Sequence, residues 1–173
     1  GYQYEDTVIY GFSHTNKGHW NLLHLPVLPV TGNISSGDYA STYSHSNESA
    51  RPGYYQVFLE RYGVNAELTS TLRCAYHKYT FRPDDDKKVL VDITRTNNGV
   101  RDWSIQKVDN YTFSGNQDAE GNIRFYAVSN YKIEDIRQLK DGEHEVSVVS
   151  FADSKGSKPL ELKIGFSFVS IDN

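Results

Sequence analysis

Hydrophobic and polar residues alternate with a period of two along much of this chain. The clearest case is the segment PLELKIGFSFVSI near the carboxyl end. Its alternate apolar residues fall on one face of an extended strand: Leu160, Leu162, Ile164, Phe166 and Phe168. Polar residues such as Glu161 and Lys163 take the other face. The same apolar residues would be scattered around the axis of a helix, so the pattern predicts a β-strand.

A β-hairpin is predicted in the segment YYQVFLERYGVNAELTST. Tyr55, Val57 and Leu59 alternate with polar residues, Gly63 marks a turn, and the alternation resumes in residues 64–68. Three further strands are predicted in KKVLVDIT, IRFYAVS and HEVSVVSFA. The best helix candidate is YKIEDIRQLKDG, where a helical turn or two is expected.

About eight strands, separated by turns every ~8–12 residues, predict an all-β fold with the architecture of an antiparallel β-sandwich. The 173 residues are enough to bury a sizeable core. No internal repeat, low-complexity segment or linker divides them, so we expect residues 1–173 to form a single domain. No apolar run approaches the ~20 residues that span a bilayer, and no signal peptide is visible.

Composition narrows the function. A net charge of -4 argues against nucleic acid as a partner, because a basic patch would be needed to displace counterions from phosphates. The single cysteine, Cys74, cannot form an internal disulfide, and we expect it to be buried in a strand. The mixed charge run Asp84–Lys88 is expected to be a solvated turn.

The stretch GFSHTNKGHW, residues 11–20, is the densest in chemically active side chains. His14, His19 and His24 are five residues apart, a spacing that suits a metal site on neither a helix nor a strand. Two interpretations stay open. Ser13, His14 and Thr15 could supply hydrogen bonds to a sugar with Trp20 as a flat apolar platform, or His14 and Thr15 could satisfy backbone groups in a turn.

Two other clusters carry similar chemistry. In YSHSNESARPGYY, His45 and Glu48 could pair and order a loop, or could line a rim shared with the first cluster. In LRCAYHKY, Arg73 and His77 share a strand face and could bind an anion or hydroxyls, or pair with acidic residues across the sheet. Glycoside hydrolysis needs two carboxylates at a set separation, and none of the 22 acidic residues is marked as catalytic by its context.

The chain resembles the amino-terminal β-sandwich domain of glycoside hydrolase family 92 over nearly its whole length. The motifs that carry the resemblance are GYQYEDTVIYGFSHT, LPVTG, YASTYSHSNESARPGYYQVFL, VNAELTSTLRCAYHKYTF and LELKIGFSFVSI. The resemblance implies a sandwich of the galactose-mutarotase-like, supersandwich type, truncated at the amino end upstream of GYQY. Family members are exo-acting, calcium-dependent α-mannosidases, many of them α-1,2-mannosidases, widespread in gut Bacteroidetes, including Bacteroides.

The resemblance also implies a division of labour within a larger enzyme. The catalytic acid and base and the calcium ligands would belong to a carboxy-terminal helical barrel that this chain lacks, so no catalytic residue, metal ligand or cofactor is expected here. The sandwich would lend loops to a pocket for a mannose-containing glycan, in a periplasmic, secreted or cell-surface enzyme. The expected substrate-binding residues are Phe12, Ser13, His14, Thr15, Trp20, His45, Glu48, Arg73 and His77.

The sequence departs from the family pattern at two positions, of which the first bears on the substrate linkage and the second is a minor change. Asn16 stands where members often carry a second histidine, and Ala75 stands where a glycine is common. Two other functions remain as alternatives: a free-standing carbohydrate-binding module, which would need no barrel, and a structural or adhesive β-sandwich.

Overall fold

The computed structural model describes residues 3–17, 20–141 and 144–170, and its regular structure is almost entirely β. In the first half of the described chain the strands are β1 (Val8–Ile9), β2 (Asn16–Lys17), β3 (Trp20–Asn21), β4 (Val27–Val30), β5 (Ser41–Thr42), β6 (Glu48–Arg51), β7 (Tyr54–Leu59) and β8 (Val64–Ser70). In the second half they are β9 (Cys74–Thr80), β10 (Lys88–Val91), β11 (Asp102–Lys107), β12 (Thr112–Ala119), β13 (Gly121–Ser129), β14 (Ile133–Asp141), β15 (His144–Phe151) and β16 (Leu160–Ser167). A single turn of 3₁₀ helix, His45–Asn47, precedes β6.

Two antiparallel sheets build the sandwich. The larger has the strand order β11-β12-β13-β16-β9-β8-β7-β6, and the smaller has the order β14-β15-β10-β4. Two short ribbons, β1-β5 and β2-β3, lie outside these sheets. The predicted all-β, antiparallel sandwich is therefore confirmed.

The core lies between the two sheets. Leu90 and Val149 from the smaller sheet and Val57 and Ile164 from the larger are fully buried in one apolar cluster. The larger sheet turns one row of apolar side chains inward, as the alternating pattern predicts, whereas strands β4 and β10 of the smaller sheet are buried on both faces. Removal of this apolar surface from water is the main stabilising contribution. None of the helical structure in the described part of the chain could span a bilayer.

The predicted hairpin and the strand near the carboxyl end are both found, with one correction. Strands β7 and β8 are joined through Gly63, whose φ of 63° lies in the left-handed region that glycine adopts without strain. In β16, Leu160 and Ile164 are buried. The prediction that Phe168 continues this face is wrong, because β16 ends at Ser167 and the Phe168 side chain is exposed.

The helix candidate is a strand. Residues 133–141 form β14, which pairs with β15 at the edge of the smaller sheet. The register shifts between Ile133 and Asp135, so a β-bulge inserts one extra residue there. The bulge places Ile133 and Ile136, three residues apart, on the same face of the strand. Their helix-like spacing therefore comes from an irregular strand.

The charge run Asp84–Lys88 is only partly solvated, because the side chain of Lys87 is fully buried. Its ammonium group donates hydrogen bonds to the carbonyl oxygens of Ser154 and Gly156, the latter at 2.8 Å. Burial lowers the pKa of Lys87. An amine can be buried here because carbonyl oxygens replace the water that it loses.

Candidate functional site

A cleft of about 1040 Å³ opens at the end of the larger sheet where β7 and β9 begin and β8 and β16 end. Most of the predicted site residues line it: Phe12, Ser13, His14, Thr15, Arg73 and His77. The other lining side chains are mainly apolar or hydroxyl-bearing, among them Tyr55, Ser70, Thr71, Phe166 and Phe168. None of the described residues that line the cleft is an aspartate or a glutamate.

Residues 12–15 form one wall of the cleft and are held in place by backbone hydrogen bonds. Phe12 and Val27 exchange two such bonds, with N···O distances of 2.9 and 3.1 Å, and the His14 N–H donates to the carbonyl of His24 at 3.1 Å. The Thr15 hydroxyl lies 2.8 Å from Nδ1 of His24. The wall is therefore fastened to the segment that enters β4.

His14 and His77 come together in the cleft although 63 residues separate them. The Nε2 atoms of the two rings are 3.1 Å apart, and the rings are nearly parallel, with centroids 4.9 Å apart. His14 Nδ1 is 2.7 Å from the carbonyl oxygen of Leu25, and His77 Nδ1 is 2.6 Å from the hydroxyl of Tyr79. Every ring nitrogen of the pair thus has a partner within the chain.

These contacts assign the protons of the pair. The Leu25 carbonyl can only accept, so His14 carries its proton on Nδ1 and its Nε2 is an acceptor. His77 must then donate from Nε2, its Nδ1 must accept, and the Tyr79 hydroxyl donates to it. One directional chain runs from Tyr79 through His77 and His14 to Leu25, and it is complete only when both imidazoles are neutral.

Burial agrees with this assignment. It lowers the pKa of His14 to about 4, against a smaller opposing effect of the Leu25 carbonyl. It also holds the pKa of His77 well below the usual value, and the neighbouring His14 lowers it further. Both rings therefore stay neutral at pH 7, and their nitrogens hold the cleft wall together.

His45 and Glu48 form a second cluster that lies beside the cleft rather than in its lining. His45 Nδ1 is 2.6 Å from Glu48 Oε2, and its Nε2 is 2.6 Å from the carbonyl oxygen of Tyr4. The Glu48 hydrogen bond is the main reason that the pKa of His45 is raised. The predicted pairing of these two residues is present.

Tyr55 joins the two clusters. Its hydroxyl donates to Glu48 Oε1 at 2.6 Å, and its ring packs edge-on against Phe12, with centroids 6.4 Å apart. Sequence reasoning placed Tyr55 only on the strand face. It also missed Tyr79, although Tyr79 lies two residues after His77 on the same face of β9 and could have been found from that spacing.

Arg73 lies at the mouth of the cleft and its side chain is exposed. Its backbone carbonyl accepts a 3.0 Å hydrogen bond from the N–H of Phe166, which ties the start of β9 to the end of β16. Within the described residues its guanidinium group has no hydrogen-bond partner. The alternative that Arg73 or His77 pairs with an acidic residue across the sheet is not found among those residues.

Cys74, next to Arg73, is exposed, so the prediction of a buried cysteine is wrong. On β9 the buried face belongs to Ala75, His77 and Tyr79, and Cys74 is out of phase with them. Trp20 was predicted to be an apolar platform for a sugar. Its side chain lies outside the part of the chain that the structure describes.

A metal centre is absent from the described part of the chain. No three His, Cys, Asp or Glu side chains within it are placed to hold a metal ion together. The described lining of the cleft includes aromatic, hydroxyl, imidazole and guanidinium groups.

Comparison with known proteins gives consistent matches. The model of the glycosyl hydrolase family 92 amino-terminal domain matches residues 1–167. A family 92 α-mannosidase of Bacteroides thetaiotaomicron is 27% identical, with a TM-score of 0.86 over 99% of this chain and 28% of its own. A family 92 glycosyl hydrolase, ccman5, is 24% identical with a TM-score of 0.81 over 99% of this chain and 28% of its own.

A family 92 inverting mannosidase of Bacteroides thetaiotaomicron is 20% identical, again with a TM-score of 0.81, and this chain covers 26% of it. The chain thus spans a little over a quarter of the length of these structures. A search of curated protein sequences finds no match.

Proposed function

Since the chain belongs to glycoside hydrolase family 92 as its amino-terminal domain, we propose that it is the non-catalytic domain of an exo-acting, calcium-dependent α-mannosidase. In this proposal its cleft forms one wall of the sugar pocket, and a carboxy-terminal catalytic domain forms the other. The enzyme acts on mannose-containing glycans in the periplasm or at the cell surface.

The composition of the cleft carries this proposal. A pyranose ring has apolar C–H faces, which pack on aromatic rings such as Phe12 and Phe166, and hydroxyls that need hydrogen bonds. Glycoside hydrolysis requires two carboxyl groups beside the scissile bond, and the side chains that the structure describes in the cleft lining include none. The chain can therefore hold part of a sugar but must receive its acid and base from elsewhere.

The residues of the cleft divide into two roles. His14 and His77 use their ring nitrogens on each other and on neighbouring groups, so they fix the shape of the wall. Arg73 and Ser70 stand at the mouth, and their side chains make no hydrogen bond to another described residue. In this proposal these two groups bind substrate hydroxyls, and the histidines act as positioning residues.

Calcium belongs to the catalytic domain in this proposal. The described residues of this chain offer no cluster of three metal-binding side chains, so no step here depends on a metal held by the sandwich. Removal of calcium should therefore stop turnover by the complete enzyme and leave the melting temperature of this chain unchanged.

A direct assay tests the proposal. The purified chain and the protein encoded by the complete gene are each incubated with an aryl α-mannoside and α-1,2-mannobiose, with and without calcium. We expect turnover only from the complete protein, and only with calcium. Turnover by the 173-residue chain that is lost when one of its own acidic residues is mutated would contradict the proposal.

A second measurement tests the cleft itself. In the complete protein, Arg73→Ala should raise KM about 10-fold, because a hydrogen bond from a charged group contributes about 1.5 kcal/mol. The matched control is Arg101→Ala, since Arg101 lies just before the edge strand β11 and pairs with Asp118 of β12, and neither residue lines the cleft. Equal KM values for the two variants would show that Arg73 does not contact the substrate.

Saturable mannobiose binding by the chain alone, with no turnover in the complete protein, would favour a carbohydrate-binding module.

A further inference from the structure

Three exposed apolar side chains border the mouth of the cleft: Leu72, Phe168 and Val169, which we call the apolar rim. Leu72 lies in the turn between β8 and β9, and the other two follow the end of β16. Their exposed fractions are 95%, 63% and 73%. Several exposed apolar side chains at one opening indicate an interaction site, whereas single exposed apolar residues are common.

The two segments that carry the apolar rim are fixed by hydrogen bonds. The Ser167 hydroxyl accepts from the backbone N–H groups of Val169 and Ser170, at 3.1 and 3.2 Å. In the other segment, the Thr71 N–H donates to the carbonyl of Cys74 at 2.8 Å, and the bond between Phe166 and Arg73 joins the two segments. The rim is therefore presented in one arrangement before any partner binds, which reduces the entropy lost on docking.

Phe168 has support on one side only. A Cβ atom placed on Gly121, the first residue of β13, would lie 3.7 Å from the Phe168 ring. The ring thus rests beside the Gly121 backbone and leaves its remaining surface in water. Nothing in the described fold uses this surface.

The position of the apolar rim indicates its partner. The match to the amino-terminal domain of the family ends at residue 167, immediately before Phe168 and Val169. The family 92 α-mannosidase that this chain covers to 28% has most of its length outside the match. Building on the proposed function, we infer that the apolar rim is the surface on which the following catalytic domain of the same polypeptide docks.

This docking would set where the catalytic domain lies. Because the rim borders the cleft mouth, a domain seated on Leu72 and Phe168 also faces Arg73 and covers the open side of the cleft. The complementary surface must be apolar opposite the rim and must leave the Arg73 guanidinium group open to the cleft, where the proposed function places the substrate. A second copy of the chain and a sugar stacked on Phe168 are the competing occupants.

Single-residue variants of the complete protein test the inference. Leu72→Asp and Phe168→Asp should separate one cooperative thermal transition into two and speed proteolytic cleavage between the domains at least 10-fold. Tyr111→Asp is the matched control, since Tyr111 is 50% exposed and does not line the cleft. Leu72→Met should behave like the wild type, and the same changes in the 173-residue chain should leave its melting temperature unchanged.

Each of the other outcomes contradicts a specific part of the inference or of the proposed function. If the rim variants match Tyr111→Asp, or if Leu72→Asp lowers the melting temperature of the chain itself, the rim is not the docking surface. A dimer of the 173-residue chain that the variants dissociate would assign the rim to a second copy. Loss of mannoside binding with unchanged domain cooperativity would assign Phe168 to the sugar. An inactive wild-type protein would contradict the proposed function, and the thermal and proteolytic results would still report on docking.

Discussion

The His14–His77 pair and the His45–Glu48 pair place the same side chain in opposite electrostatic environments. In the first pair one hydrogen bond joins the two imidazoles, and burial lowers the pKa of both. In the second pair a carboxylate beside a partly buried imidazole raises the pKa of that imidazole. The first pair is stable only when neutral, and the second gains from a positive charge.

The difference shows that histidine-rich loops in this sequence do not share one role. The His14–His77 pair fixes a wall of the cleft through a chain of hydrogen bonds in which every imidazole nitrogen is used. The His45–Glu48 pair joins the 3₁₀ turn to Tyr55, and the charge of His45 depends on pH. Substitutions and pH changes should therefore affect the two pairs unequally, and in part with opposite sign.

The largest expected effect is on the buried pair. His77→Ala removes a buried ring and leaves His14 Nε2 and the Tyr79 hydroxyl without their partner, so the free energy of unfolding should fall by about 3 kcal/mol. Urea unfolding at pH 7 measures it. His45→Ala is the control and should cost clearly less, because the His45 side chain is only partly buried whereas His77 is buried. Equal losses would show that the two pairs are not different in kind.

The pH dependence of stability is the next effect in size. Unfolded histidines have a pKa near 6.5, so between pH 6.5 and about 4 the unfolded chain binds more protons than the folded chain. Stability must then fall as the pH falls, by about 2 kcal/mol between pH 7 and pH 5 for His14 alone.

The His45 contribution has the opposite sign: it is fully present below pH 6.5 and is lost as the pH rises through the raised pKa. Urea midpoints of the wild type and of His14→Gln across this range isolate the His14 contribution. A variant as acid-sensitive as the wild type would contradict the neutral pair.

A smaller effect is expected from Tyr79→Phe. The variant keeps the buried ring but removes the hydroxyl that donates to His77 Nδ1, so the free energy of unfolding should fall by about 1–2 kcal/mol.

Long-range ¹H–¹⁵N spectra of the wild type should show His14 protonated on Nδ1 and His77 on Nε2. The reverse tautomers would overturn the direction of the hydrogen-bond chain.

The smallest expected effect on stability concerns the His45–Glu48 pair. Glu48→Gln removes the carboxylate, so the pKa of His45 should move down towards its ordinary value while the melting temperature changes little. Histidine ¹H–¹³C shifts followed from pH 5 to pH 9 report this midpoint. An unchanged midpoint would mean that the Tyr4 carbonyl and not Glu48 controls His45.

The strands were predictable where alternation is regular, as in β16 and the β7–β8 hairpin, because period two reflects one buried face. Strand β14 could not be recognised from the sequence, because its bulge gives Ile133 and Ile136 a helical spacing. The contact between His14 and His77 could not be read from spacing, because it depends on how β9 and the residue 12–15 wall meet in the folded chain. The exposure of Cys74 could not be predicted from its residue type. Its position in the alternation of β9 places its side chain on the exposed face.

Cys74 also has a practical consequence. It is the only cysteine in the sequence, it is exposed, and it lies among the residues that line the cleft. A maleimide fluorophore or a nitroxide would therefore attach at one position, beside the surface whose occupancy is in question, without any substitution in the chain. The protein supplies its own attachment point for a spectroscopic reporter of whatever closes over the cleft.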